Sequence, residues 1–511
     1  MDKLKGNIIF IIGGVMSGIG KERITASIAS ILTKCNLKIN ILNLNPYLNL
    51  NYNNINNYNN DNFVTMDGIE VDSELCFYNY LTKLKLKKNN ILSTGQIYDD
   101  IISNIKKNNK EIIQIVPHVT DYIINYILKY INNYDIIICD VGGTIGDIES
   151  MIYLEAIRRF KGLYPNNTVT IFLTYIPYLK LYDEFKTKPA RDSIKSLYES
   201  GMVPDIIICR YEKIQIKQKF INKISIFSNI PEKRIFLSPI INNIYELPYI
   251  YIKQNMHIEI LNILNIKKFK MKFKSLYNLY NIINNIKGYI YVNIIGKQVY
   301  SNKYLPLIES LKHASYQLNK NIKINWIKLY HNNDNIDILK NKQYGNIIID
   351  TYDTIDISCK LSLIKYIRQN NIPCLGICNG MHLMLIEYIK EFINIDVNSL
   401  IIKNNKKILG YTKIKILPNT KAYNIYNSNT IKECHKHYSE INIKYKSEIE
   451  KNGLIFSGLS NKNNIEILEI TSLNFYMGIQ YFPEFNTSIF KPNRLICSFL
   501  KKAYKYQKNK N

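Results

Sequence analysis

A strand-like run, Ile8–Ile12, passes directly into Gly13-Gly14-Val15-Met16-Ser17-Gly18-Ile19-Gly20-Lys21 and then into a helical stretch. This junction constrains the fold more than any other part of the chain. Glycines let backbone N–H groups approach an anion, a helix start adds positive potential, and Lys21 supplies a cation. Strand, glycine-rich turn and helix are also the unit from which parallel α/β sheets are wound. The strict pattern G-x-x-x-x-G-K-[ST] is missed, because Val15 stands at its first glycine and Glu22 follows the lysine. Glu22 sets a negative charge beside any bound phosphate. The competing interpretation is a glycine-rich turn that holds no ligand.

The rest of the chain repeats the same alternation. Asn7–Ile12, Lys38–Leu44, Asp135–Val141, Thr168–Tyr175 and Asp205–Arg210 are short apolar runs typical of buried parallel strands, with helical stretches such as Glu22–Thr33 and Asp121–Ile131 between them. A second set begins with Tyr289–Ile295 and continues through Asn346–Asp350 and Pro373–Ile377. At 511 residues the chain exceeds what one core organises. Two doubly wound parallel-sheet α/β domains are therefore expected, over residues 1–266 and 288–511, with a Lys-rich linker helix over 267–287 between them. The Asn/Tyr tract Asn51–Asn62 reads as a loop.

Composition narrows the function classes. Apolar residues make up 46% of the chain, which excludes global disorder, and no apolar run reaches the ~20 residues of a membrane span. Nine cysteines without a C-x-x-C pair fit reduced thiols, and no signal-peptide pattern precedes the first strand. A cytoplasmic protein without a membrane partner is expected. The net charge of +26 would suit nucleic acid, but Asn, Ile, Lys and Tyr abound, and their codons are A/T-rich. Drift in an A/T-biased, reduced genome accounts for the charge, and no nucleic-acid partner is expected.

Three further groups carry chemistry. Asp67-Gly68 and Asp140-Val141-Gly142-Gly143-Thr144 place carboxylates at a loop and at a strand end, where Mg²⁺ is held against a nucleotide, although such an Asp also serves as a helix cap. Lys186-Thr187-Lys188-Pro189-Ala190-Arg191 clusters three cations beside a rigid proline. Leu375-Gly376-Ile377-Cys378-Asn379-Gly380 forms a G-x-C-x-G turn of the kind that exposes a nucleophile between strand and helix.

Together these segments resemble one family. Ile11–Val15, Gly142-Gly143-Thr144-Ile145-Gly146-Asp147-Ile148-Glu149-Ser150, Lys186-Thr187-Lys188-Pro189 and Asn229-Ile230-Pro231-Glu232-Lys233 are similar to the P-loop-type amidoligase domain of CTP synthase. The second half resembles that family's flavodoxin-like class I glutamine amidotransferase domain. The resemblance implies pyrimidine nucleotide biosynthesis: Mg²⁺-ATP phosphorylates the 4-oxygen of UTP, and ammonia, free or released from glutamine, displaces phosphate to give CTP. It implies ATP at Gly18, Ile19, Gly20, Lys21 and Asp67, and Mg²⁺ at Asp67 and Asp140. It implies UTP or CTP at Ser17, at Asp147, Ile148 and Glu149, at Lys186, Thr187, Lys188 and Arg191, and at Lys223. It also implies a homotetramer.

The departures from the family bear on activity. Asp140 stands for the family's Glu, Asn43 for its Lys, Asn45 for its Asp, Arg191 for its Gln and Glu22 for its Gly. In the second half, Cys378 matches the nucleophile and Glu484 the carboxylate, but the His of the family's His-Pro-Glu is Phe482. The glycine-rich oxyanion segment is replaced by Asp350-Thr351-Tyr352-Asp353-Thr354, the glutamine-gripping Glu by Ile401, and a Gln by His382. His382 is poorly aimed for a substitute base, and His435-Lys436-His437 reads as an exposed polar pair. No counterpart of the GTP-responsive lid is recognised, so GTP activation is not expected. These features predict an ammonia-using ligase with an impaired glutaminase half. The alternatives are a fully glutamine-dependent CTP synthase, a decayed nucleotide-binding protein without catalysis, and a basic nucleic-acid binder.

Overall fold

The computed structural model describes residues 4–49, 62–108, 112–212, 218–296, 304–328, 344–349, 357–393 and 395–510. Packing divides the chain into two units: residues 1–55 with 77–284, and residues 56–76 with 285–511.

The first unit is wound on a seven-stranded, wholly parallel sheet. Its strands are β1 (Asn7–Gly13), β2 (Ile39–Asn45), β3 (Ile91–Ser93), β4 (Ile136–Val141), β5 (Thr168–Ile176), β6 (Ile206–Tyr211) and β7 (Ile235–Pro239), in the order β7-β6-β5-β1-β4-β2-β3. Isoleucine runs suit strands covered on both faces, and every residue of β4 is buried. Asp140 is the one charged residue in that strand. The order reverses beside β1, so the crevice at the carboxyl ends of β1 and β4 is the topological switch point where ligands bind in such sheets. Helix α1 (Lys21–Lys34) follows β1, α2 (Ile148–Leu163) follows β4, and α3 (Lys188–Glu199) follows β5.

The predicted linker stretch packs onto this unit. Lys270 N and Lys272 N donate to the Cys35 and Lys34 carbonyls at 3.2 and 2.9 Å, and Tyr280 of the helix Lys274–Asn285 stacks on Tyr249 at 3.7 Å.

The second unit carries a nine-stranded mixed sheet. Its strands are β8 (Tyr289–Gly296), β9 (Asn321–Lys328), β10 (Gly345–Ile348), β11 (Cys374–Ile377), β12 (Ile401–Ile416), β13 (Thr430–Ile441), β14 (Ile455–Ser460), β15 (Ile465–Glu469) and β16 (Tyr476–Ile479). The parallel part, β9-β8-β10-β11-β16, has the flavodoxin-like 2-1-3-4-5 order, and β15, β14, β12 and β13 extend it antiparallel. The hairpin Phe63–Val64 with Glu70–Val71 packs here too: Phe63 meets Phe485 edge-on at 5.3 Å, and buried Glu70 pairs with Lys407 at 2.7 Å and Lys436 at 3.4 Å. The tract 50–61 lies outside the described residues. Among those residues no helix is long and apolar enough to cross a membrane.

Phe10, fully buried in β1, meets Phe160 of α2 edge-on at 5.6 Å. Phe10→Ala is expected to cost about 3–5 kcal/mol, read as a lowered urea midpoint of the first unit's transition.

Candidate functional site

The carboxyl ends of β1, β4, β5 and β6 build the first site. After β1 the chain turns through Gly18 (φ +68°) and Gly20 (φ +75°), left-handed positions that glycine adopts without strain. The turn is braced from a strand and a helix: Gly14 N donates to Leu173 O of β5 at 2.9 Å, and Val15 N to the Ser193 hydroxyl on α3 at 3.2 Å. A Cβ on Gly14 would lie 2.3 Å from that hydroxyl, so the approach needs glycine. Ser17 and Gly18 are exposed on the outer rim, and Ile19 is half-buried.

Lys21 opens α1 and is largely buried, with Nζ 3.5 Å from the Gly143 carbonyl and 4.0 Å from Asp140 Oδ1. Asp140 is fully buried. Burial, and then the charge of Glu22, push its carboxyl up to about 7, against the pull of Lys21. Tyr78 donates to its Oδ2, whereas Oδ1 has no hydrogen-bond partner. Asn43, where the family has Lys, is the β2 residue paired with Asp140 and is 7% exposed. The cation missing from this position would therefore have faced the carboxylate.

The remaining predicted nucleotide residues of this unit lie on neighbouring loops and helices. Asp147 caps α2 and accepts from Thr144, leaving Ile148 and Glu149 exposed at the first turn. Thr187 is buried and caps α3, which starts with exposed Lys188. Lys186 pairs with Glu184 at 2.6 Å, and Lys223, from the helix Gln218–Ser228, faces the same carboxylate. Arg191 lies over the Phe227 ring at 5.6 Å. Asp67, at the tip of the hairpin, accepts from the Thr65 hydroxyl at 2.8 Å and belongs to the second packing unit.

Sequence reasoning missed Arg210 and Tyr78. Arg210 ends β6, donates to Ser238 Oγ and the Pro239 carbonyl, and brings its guanidinium within 3.5 Å of where a Cβ on Gly20 would be. A lone arginine at the end of an apolar strand was the available signal. Tyr78 left none, since its segment Cys76–Leu81 matches no motif.

In the second unit, Cys378 sits between β11 and α4 (Asn379–Phe392) with φ +54° and ψ −110°, the strained turn expected of a nucleophile elbow. Burial pushes its thiol up to about 12, far from the depressed values of activated cysteines. Phe482 is fixed by its N–H on the Cys434 carbonyl at 2.8 Å and stacks on Phe485 at 5.6 Å. It offers the thiol no proton acceptor. Glu484 is buried and pushed up to about 7, with Lys436 as the cation that opposes the shift.

His382 is fully buried, and burial lowers it to about 4. Its Nε2 meets Gln480 Oε1 at 2.8 Å, while Gln480 Nε2 points at Cys378 Sγ from 3.8 Å. An amide thus separates this imidazole from the thiol. The predicted exposed pair His435 and His437 is in fact buried. Both lie on one face of β13, 3.0 Å apart, and Glu466 is 3.7 Å from His435. Period-two alternation puts Lys436 on the opposite face, where Glu70 covers it, so the whole triplet is enclosed. Burial holds His435 near 4 and His437 near 3, both neutral at pH 7. Ile401 begins β12, and residues 350–354 lie outside the described residues.

The burial of Glu484 yields a stability prediction. Its carboxyl titrates near 4.5 unfolded and near 7 folded, so the folded state favours the protonated form. The cost of the carboxylate begins as pH rises past 4.5 and is complete above 7. Glu484→Gln should match the parent protein at pH 4.5 and exceed its Tm by about 2 °C or more at pH 8 in thermal scans. A constant difference across that range would contradict this electrostatic account.

Comparison with known proteins gives a concordant result. The model for the CTP synthase N-terminus matches residues 7–266, and that for glutamine amidotransferase class-I matches residues 301–502. A protein named CTP synthase from Hydrogenobaculum sp. (strain Y04AAS1) is 35% identical over 530 aligned positions, covering 98% of this chain and 98% of that one. Its namesake from Pelagibacter ubique (strain HTCC1062) is 35% identical over 533, covering 97% and 98%. The one from Buchnera aphidicola subsp. Schizaphis graminum is 34% identical over 544, covering 98% of each. With both family models matched in order and relatives spanning nearly its whole length, the chain belongs to the CTP synthase family of ligases.

Proposed function

We propose that this chain forms CTP from UTP, ATP and ammonia, and that its glutaminase half no longer supplies that ammonia efficiently. The observation that carries the reading is the contrast between the two sites. The first unit keeps an intact anion-binding turn with Lys21, Arg210 and a buried carboxylate around it. The second keeps its elbow around a thiol held near 12, with phenylalanine in the place of the base.

Phosphoryl transfer asks the protein for positioning and charge neutralisation rather than a covalent nucleophile. The backbone N–H groups of residues 18–20 receive the ATP phosphates, with Lys21 and Arg210 balancing their charge. The cluster Lys186, Lys188, Arg191 and Lys223 receives the UTP triphosphate, and Asp147–Glu149 border the pyrimidine nucleotide. Asp140 fits a hard cation, because Oδ1 is a buried carboxylate oxygen with no hydrogen-bond donor and Mg²⁺ takes few protein ligands. Asp67 is the second carboxylate that the family resemblance assigns to it. Bound Mg²⁺ would neutralise the phosphate oxygens as the phosphoryl group moves. Such a cation takes few protein ligands and completes its shell with substrate oxygens and water. As in the family resemblance, the assembly is a homotetramer in the cytoplasm.

In the second unit the thiolate fraction at pH 7 is negligible, and Phe482 cannot protonate departing ammonia. One observation favours retained glutamine use: His382, His435 and His437 are neutral imidazoles in the same buried region as Cys378.

Purified protein with Mg²⁺-ATP and UTP is expected to form CTP with ammonium chloride and at most about a hundredth as fast with glutamine, as loss of a general base implies. Equal rates would overturn the impairment, and no CTP from either donor would leave a nucleotide-binding protein without catalysis. Asn43→Lys is expected to raise the ammonia-dependent kcat by about ten-fold, the equivalent of one cation beside the transferring group. An unchanged kcat would show that the missing lysine is not limiting.

A further inference from the structure

We infer that Tyr78 is a positioning residue that presents the Asp140 carboxylate to the divalent cation, a task made necessary by the substitutions around it. The inference rests on the ligase reading of the first site. Tyr78 is fully buried, and its hydroxyl donates to Asp140 Oδ2. A carboxylate has two equivalent oxygens. Occupying one with a neutral donor fixes the plane of the group and leaves the other, Oδ1, free of hydrogen bonds and 4.0 Å from Lys21 Nζ.

Two local features make that hold necessary. Asp140 is one methylene shorter than the family's Glu, so its reach depends on how the carboxylate is turned. Asn43, paired with Asp140 across β2 and β4, brings no cation to orient it. The Asn43 amide instead neighbours the Tyr78 hydroxyl. The tyrosine is held in turn by its setting: Arg23 lies over the adjacent Phe77 ring at 5.3 Å, and the Thr82 hydroxyl bonds back to the Tyr78 carbonyl at 2.5 Å. The hydroxyl therefore stands on a packed helix, Cys76–Leu81, rather than on a free loop. Tyr78 touches no reacting atom in this scheme. It acts through Asp140 alone.

The test is Tyr78→Phe, which keeps the ring and removes one oxygen. Free Mn²⁺ is followed by electron paramagnetic resonance in the full-length protein with a non-hydrolysable ATP analogue, beside Mg²⁺ titrations of ammonia-dependent CTP formation. Mn²⁺ affinity should fall about five- to ten-fold and the half-saturating Mg²⁺ rise in parallel, the scale of one net hydrogen bond. The kcat at saturating Mg²⁺ and the KM for UTP should stay within about two-fold. In the Asp140→Asn background, the same Tyr78→Phe change should alter Mn²⁺ affinity less than about two-fold, since its only route is gone. That double variant leaves no buried carboxylate unbonded, so it also serves if Tyr78→Phe alone folds poorly. Unchanged Mn²⁺ affinity in Tyr78→Phe, or an equal loss in both backgrounds, would overturn the role of Tyr78. Absence of Mn²⁺ binding in the parent protein would instead overturn the ligase reading of the site.

Discussion

In a parallel sheet all strands point the same way, so every chain crossing at their carboxyl ends contributes a loop to the same edge. That constraint organises the first unit. Strand β1 delivers the glycine turn, β4 delivers Asp140, β5 leads to α3 and its lysines, and β6 delivers Arg210. The second unit obeys the same rule with a different payload, since β11 delivers Cys378 and β16 leads into Gln480 and Phe482. Helices sealing both faces favour largely apolar runs in the central parallel strands. A charged residue inside such a run is therefore costly and conspicuous.

The cost of burying charge separates the two sites. Asp140 is enclosed, but a lysine, a tyrosine hydroxyl and an open oxygen surround it, an arrangement that one cation would complete. Cys378 and Glu484 are enclosed as well, and the residue two before Glu484 is a phenylalanine stacked on Phe485. Desolvation drives both groups toward their neutral forms.

Much of this was legible in the residues. The strands of the first sheet read correctly to within a residue or two at Asn7–Gly13, Ile39–Asn45 and Ile136–Val141, because segments rich in isoleucine and leucine leave little ambiguity. The short strands Ile91–Ser93 and Ile235–Pro239 escaped, being three and five residues without periodicity. The antiparallel extension of the second sheet also went unread, since polar residues fill half of β12 and β13. That polarity misled the reading of His435 and His437, whose burial depends on β12, Glu466 and each other, partners distant in sequence. Tyr78 and Arg210 have the same character. Their roles come from which strand ends the fold brings together, and no local pattern encodes that.

The hairpin that holds Asp67 has a consequence for the gene as well as for the protein. Residues 56–76 are threaded between strands of the first sheet in sequence, yet they pack with the second unit through Phe63 on Phe485 and Glu70 between Lys407 and Lys436. No single break in the reading frame can then release either half with its packing complete. A shortened gene ending near residue 284 would strand an apolar, charge-bearing hairpin without its bed. Loss of the second unit would thus leave residues 56–76 without their packing partners, whatever chemistry that unit performs.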